Sequence, residues 1–137
     1  MNNNLPNEGI KIETEITLDI ERLKDFIANG EHKYLTAHKK ICFAIIKRIY
    51  TRVIKGYRFG AIKISDNELI IDGNHRYIAY KLAHVEFQII EGTRSFCDQS
   101  RSFNEIEIDI KEDWDFNNPK NKKYCNDDFL SNEDYNK

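Results

Sequence analysis

Asp72, Gly73, Asn74, His75 and Arg76 stand in a row, between a short apolar run and a segment with helical spacing. Gly73 permits backbone angles that a side chain forbids. Asn74 is of a type that caps helices. The first N–H groups of a helix beginning here would have no partner within it. They would sit at the positive end of its dipole, so the turn offers an anion site. His75 and Arg76 add donors suited to phosphate, and an arginine can hold it in a fork. Asp72 would repel that anion unless its carboxylate binds a metal such as Mg²⁺, takes a proton, or orients His75 or Arg76. On local chemistry alone, a tight turn with a polar cap accounts for the same residues equally well.

Other residues carry weaker signals. Glu31 and His32 lie in a loop ahead of a long helical pattern. A carboxylate there could act as a base toward a hydroxyl or hold a metal, or simply favour the N-terminal end of a helix dipole. His38 falls on an apolar face and reads as a core histidine, and Cys42 as a small core residue. His84 ends a helix as a C-terminal charge or cap. Arg94 and Arg101 flank a polar loop and could close over phosphates or be solvated. Asp113-Trp114-Asp115 reads as a tail docked by its tryptophan, with no metal role.

The elements that must position these residues follow from periodicity. Residues 1–9 are polar and expected to be disordered. Ile10, Ile12, Thr14 and Ile16 alternate as a half-buried strand. Ile20, Leu23, Phe26 and Ile27 are spaced as a helix, with Asp19 as cap and Asn29-Gly30 as stop. Leu35, His38, Cys42, Ile45, Ile49 and Val53 predict one long helix ended by Gly56. Residues 61–64 and 69–71 form a hairpin around Ser65-Asp66-Asn67-Glu68. A short helix is expected from about His75 to Ala83. Val85, Phe87 and Ile89 predict one strand, and Ile106, Ile108 and Ile110 another. The order gives an α+β domain over residues 10–115. Residues 116–137 are expected to form a polar acidic tail, dispensable for folding.

The 137 residues suffice for one core, and 40% hydrophobic with 32% charged residues is ordinary for a globular domain. A formal net charge of −2 argues for neither nucleic acid nor membrane as a partner. Its distribution says more. Residues 33–58 hold eight Lys or Arg and no acid, whereas acids outnumber lysines two to one from Glu105 onward. Either an anionic ligand meets the basic side, or both are solvated faces. No apolar run spans a bilayer and the N-terminus does not resemble a secretion signal. Three cysteines without CxxC spacing are neither a disulfide framework nor a zinc site. A cytoplasmic location is the simplest expectation.

The run from Ile70 through Asp72-Gly73-Asn74-His75-Arg76-Tyr77 to Leu82 resembles the signature of the ParB/sulfiredoxin superfamily. That signature is a strand, an acidic-Gly-x-His/Arg-Arg turn and a helix. The likeness extends upstream through the long helix, Gly56 and the hairpin, covering roughly residues 10–91. It implies a small mixed sheet with helices, and a turn that binds nucleotide phosphates through Gly73, Asn74, His75 and Arg76. Sulfiredoxins carry a catalytic cysteine where this chain has Asn74, so sulfinic acid reduction is not implied. ParB proteins use Glu-Arg-Arg at the turn and continue into a helix-turn-helix and a dimerisation domain, whereas this chain has Asn-His-Arg, so a DNA-clamp role is not expected. The turn is most similar to the Asp-Gly-His-His-Arg of the superfamily's free serine kinases, departing only at Asn74. By that resemblance Glu31 would activate a substrate hydroxyl.

The resulting expectation is a nucleotide-dependent phosphotransfer or phosphohydrolase enzyme using a nucleoside di- or triphosphate. Asp72 would hold Mg²⁺ or orient His75, Glu31 would act as base, and a small hydroxyl compound could be the acceptor. One alternative is a ParB-like nuclease or nucleic-acid-binding toxin that tracks a backbone with its basic helix, residues 33–55. Another is a nucleotide sensor without catalysis.

Overall fold

The first helix among the described residues, α1 (Ile20–Asn29), begins where its sequence allows it to be capped. Asp19 Oδ1 accepts the Arg22 N–H at 2.8 Å, and the Gly30 N–H closes the last turn on Phe26 O. Leu23 and Ile27, one turn apart, are its buried face. The structure is a computed structural model that describes residues 17–93, 99–127 and 130. The strand expected at residues 10–16, the N-terminal nine residues, Arg94 and Cys97 lie outside the described residues.

The chain then departs from the helical pattern expected from Leu35. It forms two short strands, β1 (Leu35–Thr36) and β2 (Lys40–Cys42), and only then the helix α2 (Phe43–Ile54). β1 is inserted between two other strands, and β2 pairs with a strand far along the chain. Non-local ladder bonds override the local three-to-four spacing here, as tertiary context routinely does. Ile41 and Cys42 are both fully buried as neighbours, which a one-faced helix would not do. Lys33, Lys39 and Lys40 are therefore not on a helix, and the continuous basic helix expected over residues 33–55 is not formed.

The hairpin is as expected. β3 (Ile62–Ile64) and β4 (Leu69–Asp72) are antiparallel, and Ser65 Oγ accepts the N–H groups of Asn67 and Leu69 inside the turn. β4 leads through Gly73 into α3 (Asn74–Ala83), which ends on His84 in a left-handed conformation. β5 (Ile89–Glu91) starts later than the alternation predicted, because Val85 and Phe87 pack against the core rather than pairing. β6 (Arg101–Ser102), a 3-10 turn at Phe103–Glu105 and β7 (Glu107–Asp109) follow.

These strands make a mixed five-stranded sheet in the order β5-β3-β4-β1-β6, and a separate parallel pair of β2 with β7. With the three helices of the described residues, the arrangement is α+β. Tyr50 of α2, Tyr77, Ile78 and Tyr80 of α3, and Phe103 are almost completely buried. Buried phenols need partners. The Tyr80 hydroxyl donates to Gly60 O and accepts from the Phe59 N–H, both at 3.0 Å. β1 and β4 run parallel and adjacent, so their C-terminal ends, Thr36 and Asp72, point to the same side. In open α/β sheets, the crevice beyond the C-terminal ends of parallel strands is where ligands bind.

Candidate anion-binding site

Gly73 is the hinge of the site. It caps α3 with φ +103°, and a Cβ placed there would come within 2.9 Å of both Arg76 Nη2 and Ile62 Cδ1. Both the left-handed angle and the close approach require glycine. Asn74 does not cap the helix, contrary to expectation. It is buried, and its Oδ1 accepts from the Thr36 hydroxyl at 2.7 Å; Thr36 Oγ1 in turn accepts the His38 N–H. This chain ties the start of α3 to β1. No side chain caps α3, so the N–H groups of its first turn are left to solvent or a ligand.

His75 is held neutral. Its Nε2 accepts the Cys42 N–H at 3.0 Å, which places the ring proton on Nδ1. Burial, reinforced by His38 and Arg76, pushes its pKa down to about 3. At neutral pH His75 can donate a hydrogen bond from Nδ1 but has no proton to give as an imidazolium. The His38 and Trp114 rings meet it edge-on, with centroids 5.8 and 5.5 Å away. His38 is thus part of the site's wall and not, as its spacing suggested, on the face of a helix. Arg76 is partly buried; Nη2 donates to Ala61 O at 3.0 Å and lies 3.6 Å from Asp72 Oδ2. The Asp72 side chain is 68% exposed.

These residues line part of a cleft of about 620 Å³, within the usual size of small-ligand sites. The cleft is also lined by Ile45, Arg48, Ile49 and Arg52 of α2 and by Trp114, Asp115, Asn118, Asn121 and Tyr124. Trp114 is docked, as its sequence suggested: Nε1 donates to Asp109 Oδ2 at 2.9 Å, which also helps hold the Asp109 carboxyl below its usual range. Arg48 is clasped by Asp113 and by Asp115, the latter at 3.0 Å. Burial raises the Asp115 pKa, against the pull of Arg48.

Arg52 is almost fully buried. Its Nε donates to Asp127, and its Nη2 to the carbonyls of Tyr124 and Asn126. The basic helix and the acidic C-terminal segment, whose opposite charges were evident in sequence, are in part each other's partners. Their charge segregation was the one signal that could have located this wall. Residues up to 127 are consequently docked, not a detached tail, and Leu130 is buried as well. Ending the chain after Asn118 is expected to cost about 1–3 kcal/mol, the scale of hydrogen bonds to a charged group. Water reaching Arg52 would limit that cost. An unchanged melting midpoint in the shortened chain would show that the segment contributes no stability.

Glu31 is not brought to this site. It is exposed in the loop that enters the N-terminal end of β1, whereas the cleft opens beyond the C-terminal ends of β1 and β4. Arg101 is spent on Ala37 O, also outside the cleft. Asp72 and Asp115 are the carboxylates that line it. Among the described residues no three His, Cys, Asp or Glu side chains gather as metal ligands. One exposed carboxylate does suit Mg²⁺, which takes most of its other oxygens from ligand phosphates and water. No protein-family model, curated protein or solved structure matches the chain.

Proposed function

We propose that the cleft binds a nucleoside di- or triphosphate, with its phosphates on the Asp72–Arg76 turn, for phosphoryl transfer or hydrolysis. The observation that carries this reading is the uncapped N-terminus of α3, with Arg76 beside it, opening into a cleft of about 620 Å³. The resemblance of the turn to the ParB/sulfiredoxin signature points the same way. The free N–H groups of α3, the His75 Nδ1–H and the Arg76 guanidinium would meet phosphate oxygens. Phosphoryl transfer depends mainly on positioning and charge neutralisation, which such donors supply. Asp72 would hold Mg²⁺, whose role would be to neutralise phosphate charge. Alternatively its exposed carboxylate would accept the proton of a small hydroxyl acceptor or of water. It replaces Glu31 in that role because it stands at the cleft. The nucleic-acid reading has less behind it: Arg48 and Arg52 face the cleft and are paired, leaving Lys47 and Lys55 as α2's exposed cations.

Arg76→Ala is expected to weaken nucleotide binding about 10- to 100-fold, the worth of a hydrogen-bonded ion pair. Calorimetric titration would measure it, with a melt confirming that the domain is folded. A variant that binds like the parent would remove the turn from the ligand site. Asp72→Asn is expected to behave differently. Its loss should lower turnover about a hundredfold or more, and affinity little, as for a group that acts in the transition state. Equal turnover in the two proteins would leave Asp72 without a catalytic role.

A further inference from the structure

The turn accounts for one end of the cleft only. The rest runs along α2, where Ile45, Ile49 and Arg52 lie on one face spanning about 10 Å at 1.5 Å per residue. Trp114, Asn118, Asn121 and Tyr124, all from the C-terminal segment, line the cleft beside this face. The segment is tied down by Asp109 on Trp114 and by Arg52 on Tyr124 O. Asn121 begins a 3-10 turn, residues Lys122–Cys125, without capping it. Its side-chain amide has no partner among the described residues. Asn118 uses only its Oδ1, on the Lys120 N–H, leaving its NH₂ group unspent.

Aliphatic and aromatic side chains together with two asparagine amides not spent on the protein form a surface for a flat heteroaromatic ring with donors and acceptors on its edge. An asparagine amide offers one donor and one acceptor side by side, the geometry with which it reads a base. We infer that Asn121 and Asn118 select the nucleobase of the ligand, so that the C-terminal segment is the specificity wall of the site. This rests on the nucleotide reading given above.

The test uses the full-length chain, with Mg²⁺ present, titrated with ATP, GTP, CTP and UTP and separately with inorganic tripolyphosphate. The parent is expected to prefer one base at least tenfold and to bind that nucleotide more tightly than tripolyphosphate. Asn121→Ala should cut affinity for the preferred nucleotide about tenfold and Asn118→Ala by less, with tripolyphosphate binding and the melting midpoint unchanged. Arg76→Ala should weaken nucleotide and tripolyphosphate alike. Equal affinity for all four nucleotides, or an Asn118→Ala/Asn121→Ala double variant that discriminates like the parent, would overturn the specificity wall while leaving the phosphate site standing. Failure of the parent to bind either nucleotide or tripolyphosphate would overturn both.

Discussion

Acidification from neutral pH to about 4.5 is expected to destabilise the domain by about 2–3 kcal/mol through His75 alone. In the unfolded chain this histidine takes up a proton near its ordinary value of 6.5; in the folded protein its pKa lies at about 3. Between those values the unfolded state binds more protons than the folded one, so stability falls as the pH drops. The slope is about 1.4 kcal/mol per pH unit, present below 6.5 and exhausted near 3. Above 6.5 the histidine is neutral in both states and has no effect. Geometry supports the sign, because protonating Nε2 would set two donors against each other at the Cys42 N–H. His38 and Arg76, the nearby groups that repel the imidazolium, add to it. Asp115, whose pKa is raised by burial, acts in the opposite direction and should reduce the observed slope. His75→Gln keeps an acceptor near the Nε2 position and cannot be protonated. Thermal melts of parent and variant across this range should converge at low pH. Parallel pH profiles for the two proteins would show that His75 is not the acid-labile group.

Gly73→Ala should be the most damaging conservative change in the site, costing about 2–5 kcal/mol. Two effects add: a side chain at φ +103°, and overpacking against Ile62 and Arg76. Ile62 is fully buried and cannot swing away. Arg76 would have to give up Ala61 O or its position beneath the turn, so ligand affinity should fall with stability. Gly60→Ala provides the control. Gly60 has nearly the same angle, φ +111°, but open space where a Cβ would go. It should therefore show only the conformational cost, about 1–2 kcal/mol. Equal losses in denaturant titration would mean that the packing around Gly73 contributes nothing.

Features written by local chemistry were legible in the sequence. The Asp19 cap and Gly30 stop of α1 were readable, as were the Ser65 turn, the left-handed Gly73 and the helix after it. Each depends on residues within a few positions. What failed depends on distant partners. The spacing of Leu35, His38 and Cys42 is that of a helix, but the neighbouring strands β4 and β6 claim β1, and β7 claims β2. Asn74 suggested a cap because nothing local reveals Thr36 across the sheet. The second wall of the cleft was hidden for the same reason. Arg48 and Arg52 looked like solvated cations until the residues 113–127 that hold them were placed opposite. Glu31 was suggested by its place ahead of the long helical pattern and strengthened by the resemblance, and the strand order puts it at the other end of β1.

The pairing of residues 40–42 with residues 107–109 also bears on how the molecule assembles. The cleft lies between a turn that can form from neighbouring residues and a wall that arrives only after this long loop is closed. Loop closure must be met in entropy before its contacts return anything, so such pairings form slowly. In refolding from denaturant, the hairpin and α3 should therefore recover before the site does. Far-ultraviolet circular dichroism should return ahead of Trp114 fluorescence, and the ability to capture a ligand should follow the slower of the two signals.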